Sequence, residues 1–204
     1  MVRLQLADRG IADDRVLDAM GAVPREQFVP EHLRAKAYDD AALPAHCHQT
    51  ISQPFIVAYM TERLDLTPAG KVLEIGTGTG YQTAVLARLC GQVYSVERIP
   101  SLADTARARL AQLGVTNATI VVGDGTLGLA VLAPYDRIIV TAAAARLPGP
   151  LVRQLAAGGK LIAPVGPPAL QRLTLLERKP QGLSETALLE CRFVKLIGRA
   201  GWKP

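Results

Sequence analysis

From Lys71 onward the apolar positions alternate between two rhythms. Short β-branched or aliphatic runs occur at VLEIG (72–76), QVYSVE (92–97), ATIVVGDG (118–125), YDRIIVTAAA (135–144) and KLIAPVG (160–166). The first four end in glycine, an acid or small residues, as strands buried in a parallel sheet do. Between them, YQTAVLARLC (81–90), SLADTARARLAQLG (101–114) and LPGPLVRQLAAG (147–158) carry apolar residues at three- and four-residue spacing. The last two stop at glycines, and all three are expected to be helices. Such alternation predicts an open α/β sheet. RLTLLERK (172–179) and LECRFVKLIG (189–198) follow without a helix between them, so they are expected to close the sheet as an antiparallel edge. Before Lys71 the rhythm changes. Residues 11–21 and 30–37 have helical patterns, 38–52 reads as a loop, Pro54 opens a helix over 53–65, and 64–71 is a turn. One domain is expected over 1–204, with an N-terminal helical cap (1–66) folded onto an α/β core (67–204). The core is a mostly parallel seven-stranded sheet with helices on both faces.

Composition narrows the class without naming a chemistry. Of 204 residues, 49% are apolar and 20% charged, which excludes wholesale disorder. The net charge of +5 is spread along the chain, with no basic run interleaved with aromatics, so no nucleic-acid partner is expected. Cys47, Cys90 and Cys191 form neither a CxxC nor an even disulfide framework, which suits a reducing compartment. The opening MVRLQLADRGIADD lacks the apolar core of a signal peptide, and no stretch has the length of a membrane span. A cytoplasmic protein with no membrane association is expected.

The densest local signal is VLEIGTGTGYQTAVLA (72–87), a strand, a glycine-rich turn and a helix. Gly76, Gly78 and Gly80 permit a tight turn and a close approach of ligand to backbone. The dinucleotide fingerprint would place its third glycine where Tyr81 stands, and a phosphate-binding P-loop would need GK[ST]. Glu74 precedes the first glycine by two residues, which fits a ligand with an ammonium group and no pyrophosphate. S-adenosylmethionine is such a ligand. Glu97, at the end of the next strand, is placed to bond ribose hydroxyls. Asp124, in GDG, is placed to receive an adenine amino group or to cap the following turn, and Gly125 leaves room beside it. Thr77 and Arg98 complete the candidate cofactor set.

The chain resembles the protein-L-isoaspartate O-methyltransferases over nearly its whole length. The resemblance is carried by REQFVPEHLRAKAYDD (25–40), LPAHCHQTISQPFIVAYMTERLDL (43–66), EIGTGTGYQTAVLA (74–87), VYSVERI (93–99), VVGDGTLG (121–128), YDRIIVTAAA (135–144), LAAGGKLIAPVG (155–166) and RFVKLIG (192–198). It implies the Rossmann-like S-adenosylmethionine-dependent methyltransferase fold. It also implies methyl transfer to the free carboxylate of L-isoaspartyl residues in damaged proteins or peptides. The ester then closes to a succinimide, whose hydrolysis restores some aspartate; S-adenosylhomocysteine is the second product. By the same resemblance Thr50, Ile51 and Ser52 lie at the substrate end of the pocket, and Ser52 helps to hold the acceptor carboxylate. Thr141, Ala142, Ala143 and the RFV segment are expected to shape the substrate groove. A monomer is expected.

Methyl transfer to an ionised carboxylate needs alignment and exclusion of water rather than a strong base, which suits a neutral donor such as Ser52. The chain departs from the family's pattern at His46 and His48, where glycines are usual, so substrate choice is expected to differ there. It also departs at Ala145 and Lys195, where prolines are common, and after GDG, where an aromatic is often found. His46-Cys47-His48 has no fourth ligand at zinc spacing, and no metal is expected. A Cys47 nucleophile would add a covalent step that methyl transfer does not need. The alternatives carried forward are a related carboxyl methyltransferase acting on an aspartate of a biosynthetic peptide, a binding protein without catalysis, and a nicotinamide dehydrogenase.

Overall fold

A computed structural model describes residues 1–203. Its centre is a seven-stranded sheet in the order β5-β4-β3-β6-β7-β8-β9. The strands are β3 (Lys71–Ile75), β4 (Gln92–Glu97), β5 (Ala118–Val122), β6 (Tyr135–Val140), β7 (Leu155–Val165), β8 (Gln171–Lys179) and β9 (Gly182–Cys191). Pairings from β5 through β7 are parallel, and β8 and β9 are antiparallel. A two-stranded ladder of β1 (Leu43–Pro44) and β2 (Thr50–Ile51) lies in the N-terminal region. The main helices are α1 (Asp14–Ala22), α2 (Pro54–Leu64), α3 (Tyr81–Ala87), α4 (Pro100–Gln112) and α5 (Gly149–Arg153).

Neighbouring residues of each central strand feed opposite cores, because successive side chains leave a strand on opposite faces. Val72, Ile139 and Ile162 pack with the N-terminal region and α1 to α4. Leu73, Ile138 and Leu161 pack on the other face with Leu151 of α5 and Tyr135. Both faces are covered, as the alternation predicted, but most of the helical mass is on one side. Polar ties fix the N-terminal region. Glu62 Oε1 accepts the N–H groups of Ala12 and Asp13, and Asp13 caps α1 through the N–H of Arg15. Arg137 of β6 donates to the carbonyls of Leu64 and Asp65, satisfying the end of α2.

Three expectations needed correction. Residues 147–158 are not one helix: α5 ends at Arg153 and β7 begins at Leu155. The glycines that resembled a helix stop serve an irregularity in which Gly158 takes φ 71° and the β6–β7 register shifts. The last strand is Gly182–Cys191 rather than 189–198, and it is joined to β8 by a tight turn in which Lys179 pairs with Gly182. RFVKLIG leaves the sheet instead of extending it: the Ala143 N–H donates to Val194 O, and the Leu196 N–H donates to Ala143 O, each at 2.7 Å. The helix expected over 30–37 is a tight 3₁₀ stretch, Glu31–Lys36.

The chain runs outward from β3 to β4 and β5, then returns to place β6 on the other side of β3. The crevice between the carboxyl ends of β3 and β6 is therefore the switch point where open sheets bind ligands. Gly76 occupies this crevice at φ 96°, and a Cβ there would collide with Thr141 Oγ1. The Thr141 hydroxyl donates to Gly76 O at 2.6 Å. Gly76→Ala is expected to cost at least about 2 kcal/mol in chemical denaturation, from a left-handed alanine plus the collision. Adding Thr141→Ala to that variant should recover part of the loss; equal stability of the single and double variants would remove the collision from the explanation.

Candidate active site

At the switch point lies a cavity of about 360 Å³, within the range of small-ligand sites. Five pieces of chain carry its expected residues. The turn after β3 supplies Gly76, Thr77 and Gly78, and the end of β4 supplies Glu97 and Arg98. Thr141 and Ala142 follow β6, and Gly125 follows β5. Thr50, Ile51 and Ser52, from β2 and the residue after it, form a wall from the N-terminal region. These expected residues, distant in sequence, share one space.

Each polar contact has a structural cause. Gly76 N–H donates to Val96 O of β4 and the Thr141 N–H to Ile75 O of β3, so each turn is fastened to the end of the strand beside the one it leaves. Glu97 is buried; one carboxylate oxygen accepts the N–H of Gly78 and the other that of Ile99, each at 2.9 Å. Each oxygen keeps lone-pair capacity toward the cavity. Gly125 sits where a Cβ would come 2.6 Å from Ile75 Cγ2, so only glycine lets this turn close on β3.

Other expected residues stand outside the cavity lining. Gly80 begins α3 at φ 89°, with its Cβ position 3.2 Å from Ala106 Cβ, which lets α3 and α4 approach. Ala143 joins the two late segments through its backbone and accepts the Trp202 indole N–H at 3.0 Å. Asp124 caps the 3₁₀ turn Gly125–Leu127 and accepts from the Thr126 hydroxyl at 2.6 Å and the Arg199 N–H at 2.8 Å. Partial burial alone would raise its pKa, but the hydrogen bonds from Arg199 and Thr126 prevail and hold the carboxyl below its ordinary range. The carboxylate ties down the chain's C-terminal segment.

Glu74 is fully buried beneath the glycine turn. The Thr83 hydroxyl of α3 donates to its Oε2 at 2.5 Å, while Oε1 has no partner among the described residues. The nearby Ser95 hydroxyl is engaged with Thr77 at 2.6 Å. Burial, reinforced by the charge of Glu97, pushes the Glu74 pKa up to about 7, against the opposing hydrogen bonds. Glu74 joins β3 to α3 across the turn and does not face the cavity.

The sequence reading missed part of the wall. Ile56, Val57 and Met60 of α2 line the cavity, and their helical spacing after Pro54 was a usable signal. His48 and Gln49 border it as well, with Lys195 beside Phe193 and Val194. Cys47 and His48 have φ 57° and 56°, a left-handed pair that glycine would adopt without strain. Among the described residues, no group of three or more His, Cys, Asp or Glu side chains is placed to hold a metal.

The model of the family described as protein-L-isoaspartate(D-aspartate) O-methyltransferase (PCMT) matches residues 1–201. A protein-L-isoaspartate O-methyltransferase from Methanoculleus marisnigri is 52% identical over 203 residues, covering 100% of this chain and 92% of that protein. One from Koribacter versatilis is 50% identical over 204 residues, covering 100% and 92%. A solved structure of a protein-L-isoaspartate O-methyltransferase superposes with a TM-score of 0.86 at 31% identity, covering 98% of this chain and 67% of that one. A Plasmodium falciparum structure assigned to the same activity, in complex with S-adenosyl-L-homocysteine, gives 0.82 at 28% identity, with 94% of each chain covered.

The buried Glu74 makes a pH-dependent contribution of definite sign. Its folded pKa, about 7, lies above its ordinary value of 4.5. The uncharged acid therefore favours the folded state below pH 4.5, and that advantage is lost as pH rises through 7. Relative to wild type, Glu74→Gln should gain up to about 3 kcal/mol of unfolding free energy between pH 4.5 and pH 8. Urea denaturation of both proteins across that range checks this; a difference that stays flat would mean that Glu74 ionises freely in the fold.

Proposed function

Because the chain belongs to the protein-L-isoaspartate(D-aspartate) O-methyltransferase family, we propose that it methylates the free carboxylate of L-isoaspartyl residues in damaged proteins or peptides. The observation that carries this reading is the meeting of two surfaces in one cavity. The glycine turn and Glu97 form one, and the Thr50–Ile51–Ser52 wall forms the other. The chain acts as a single domain and a monomer, with no nucleic-acid partner. Cys47, Cys90 and Cys191 are free thiols, which suits a cytoplasmic setting. Among the described residues no helix is long and apolar enough to cross a membrane.

The cavity fits S-adenosylmethionine by its chemistry. Gly76 and Gly78 bring bare backbone to the space, and Glu97 retains acceptor capacity for ribose hydroxyls. Gly125 gives clearance at the adenine end, while Asp124 acts from behind by fixing that turn. Thr77 and Arg98 complete the cofactor side. S-adenosylmethionine supplies the methyl group from a sulfonium that leaves as neutral thioether. The protein's part is alignment. Ser52 donates to the acceptor carboxylate, which is already the nucleophile, and Thr50 and Ile51 close the wall beside it. Ile56, Val57 and Met60 keep water away from the line of transfer. A neutral hydroxyl suits this role because the carboxylate's charge is consumed on the way to the transition state. Thr141, Ala142 and Ala143 shape the path of the substrate backbone.

The ester leaves the enzyme and cyclises to a succinimide without further help. The position of His48 in the cavity favours a second reading, in which the acceptor is an aspartate of a dedicated biosynthetic peptide.

Labelled S-adenosylmethionine offered with matched isoAsp and Asp peptides separates the readings by base-labile methyl ester. Ester on isoAsp alone is expected; ester on ordinary Asp supports the dedicated-peptide reading, and ester on neither overturns both. Ser52→Ala should lower kcat/KM for the isoAsp peptide by about 10- to 100-fold while leaving the Kd for S-adenosylhomocysteine within about threefold. Equal losses in both would move Ser52 to the cofactor side.

A further inference from the structure

The most costly side chain in the N-terminal region is one that the proposed reaction does not use. Arg25 lies at the start of a 3₁₀ turn, Arg25–Phe28, and is fully buried. Among the described residues no carboxylate pairs with it. Taking a cation out of water without a counter-charge costs several kcal/mol, and apolar side chains of similar size commonly do better at a purely packed position. A compensating task is expected where such a charge is kept.

Its contacts identify that task. Arg25 Nε donates to Ala37 O and Nη2 donates to Ser52 O, both at 2.7 Å. These two nitrogens lie on one edge of a planar guanidinium, so they fix the two carbonyls relative to each other as a rigid fork. Neither carbonyl has a place in a helix or sheet ladder: Ala37 follows the Glu31–Lys36 turn, and Ser52 lies between β2 and α2. On its flat face the guanidinium carbon is 4.7 Å from the centroid of the Tyr81 ring. Tyr81 is itself a wall of the cavity, at the start of α3. The third nitrogen, Nη1, is buried without a partner among the described residues. One side chain thus links the loop that carries Ser52 to the helix that follows the glycine turn.

We infer that Arg25 is a positioning residue for methyl transfer, holding Ser52 at a fixed distance from the cofactor side of the cavity through its bond to the Ser52 carbonyl. The inference rests on the reading of Ser52 as the group that holds the acceptor carboxylate. Arg25 does not itself line the cavity. Its effect falls on the acceptor's placement, where an error of about 1 Å costs on the order of 100-fold in rate.

A double-mutant cycle on the full chain tests this, with kcat and KM for an isoAsp peptide measured beside the Kd for S-adenosylhomocysteine. Arg25→Lys keeps the charge but replaces the planar two-nitrogen fork with one freely rotating ammonium, which no longer fixes the two carbonyls relative to each other. It should lower kcat/KM by about 10- to 100-fold while changing the Kd by less than about fivefold. In a Ser52→Ala background the same substitution should cost no more than about threefold further, because the hydroxyl it positions is already gone. Arg25→Met, measured where circular dichroism shows it folded, should be no more active than Arg25→Lys; should it not fold, the lysine cycle decides alone. Full additivity of Arg25→Lys and Ser52→Ala, or wild-type kcat/KM in Arg25→Lys, would overturn the inference. Failure of the unmutated protein to esterify the isoAsp peptide would instead overturn the proposed function.

Discussion

The hydroxyl of Thr141 on the carbonyl of Gly76 is the contact on which the rest of the architecture depends. It joins the ends of β3 and β6, the two strands that part at the middle of the sheet. The approach exists only because residue 76 has no Cβ and takes a left-handed conformation. From there the chain after β3 turns away toward α3, leaving its backbone open to the crevice. The chain after β6 turns the other way, and its Ala143 gathers in the segment that carries Phe193 to Ile197. One close backbone contact thereby makes a floor from two strands and gives the late segment an edge to attach to.

The acids around this floor divide in a manner that sequence alone does not reveal. Glu74, Glu97 and Asp124 all stand at strand ends near glycines, so spacing treats them alike. The pleat separates them. Glu97 ends β4 with its carboxylate toward the cavity and on two backbone N–H groups. Glu74, two residues inside β3's approach to the turn, is directed into the packing beneath it and meets Thr83. Asp124 is held by Thr126 and Arg199, and Gly198 lies so close that a Cβ there would meet its Oδ1. A motif therefore marks where a site lies more surely than which atoms face it. Direction depends on one residue of register, and on partners 75 residues away in the case of Arg199.

The same limit explains which parts of the fold were legible. The inner parallel strands β3, β4 and β6 were visible because burial on both faces leaves nearly unbroken apolar runs, and β5, half-exposed at the sheet edge, was visible from its β-branched residues. The edge strand β9 was obscured because SETALL presents only exposed and half-buried positions, and an edge needs an apolar surface only where it meets the sheet. RFVKLIG reads as strand because it pairs, but its partner is Ala143 rather than β8. Local pattern records that a segment is extended and half-buried; it does not record which segment covers it. Ile56, Val57 and Met60 were legible as a helix face, yet only the position of β6 shows that this face looks into the cavity.

The Thr50–Ser52 wall differs in kind from the glycine floor. Glycine turns at strand ends are held by the sheet, whose ladders fix every residue nearby. Thr50 and Ile51, just before Ser52, form a two-residue strand paired with Leu43 and Pro44, too short to be stable alone. Local strain is also concentrated there, with left-handed Cys47 and His48 each costing on the order of 1–2 kcal/mol relative to glycine. A segment so weakly paired keeps one conformation only if its surroundings over-determine it. Arg25 on the Ser52 carbonyl and Gln49 Nε2 on the Cys47 carbonyl, at 3.1 Å, provide such constraints. Under the proposed function, cofactor binding and acceptor placement are therefore separately held. The first is built into the sheet, and the second depends on a few side-chain bonds, so change in the cap alters substrate choice before it alters the cofactor site.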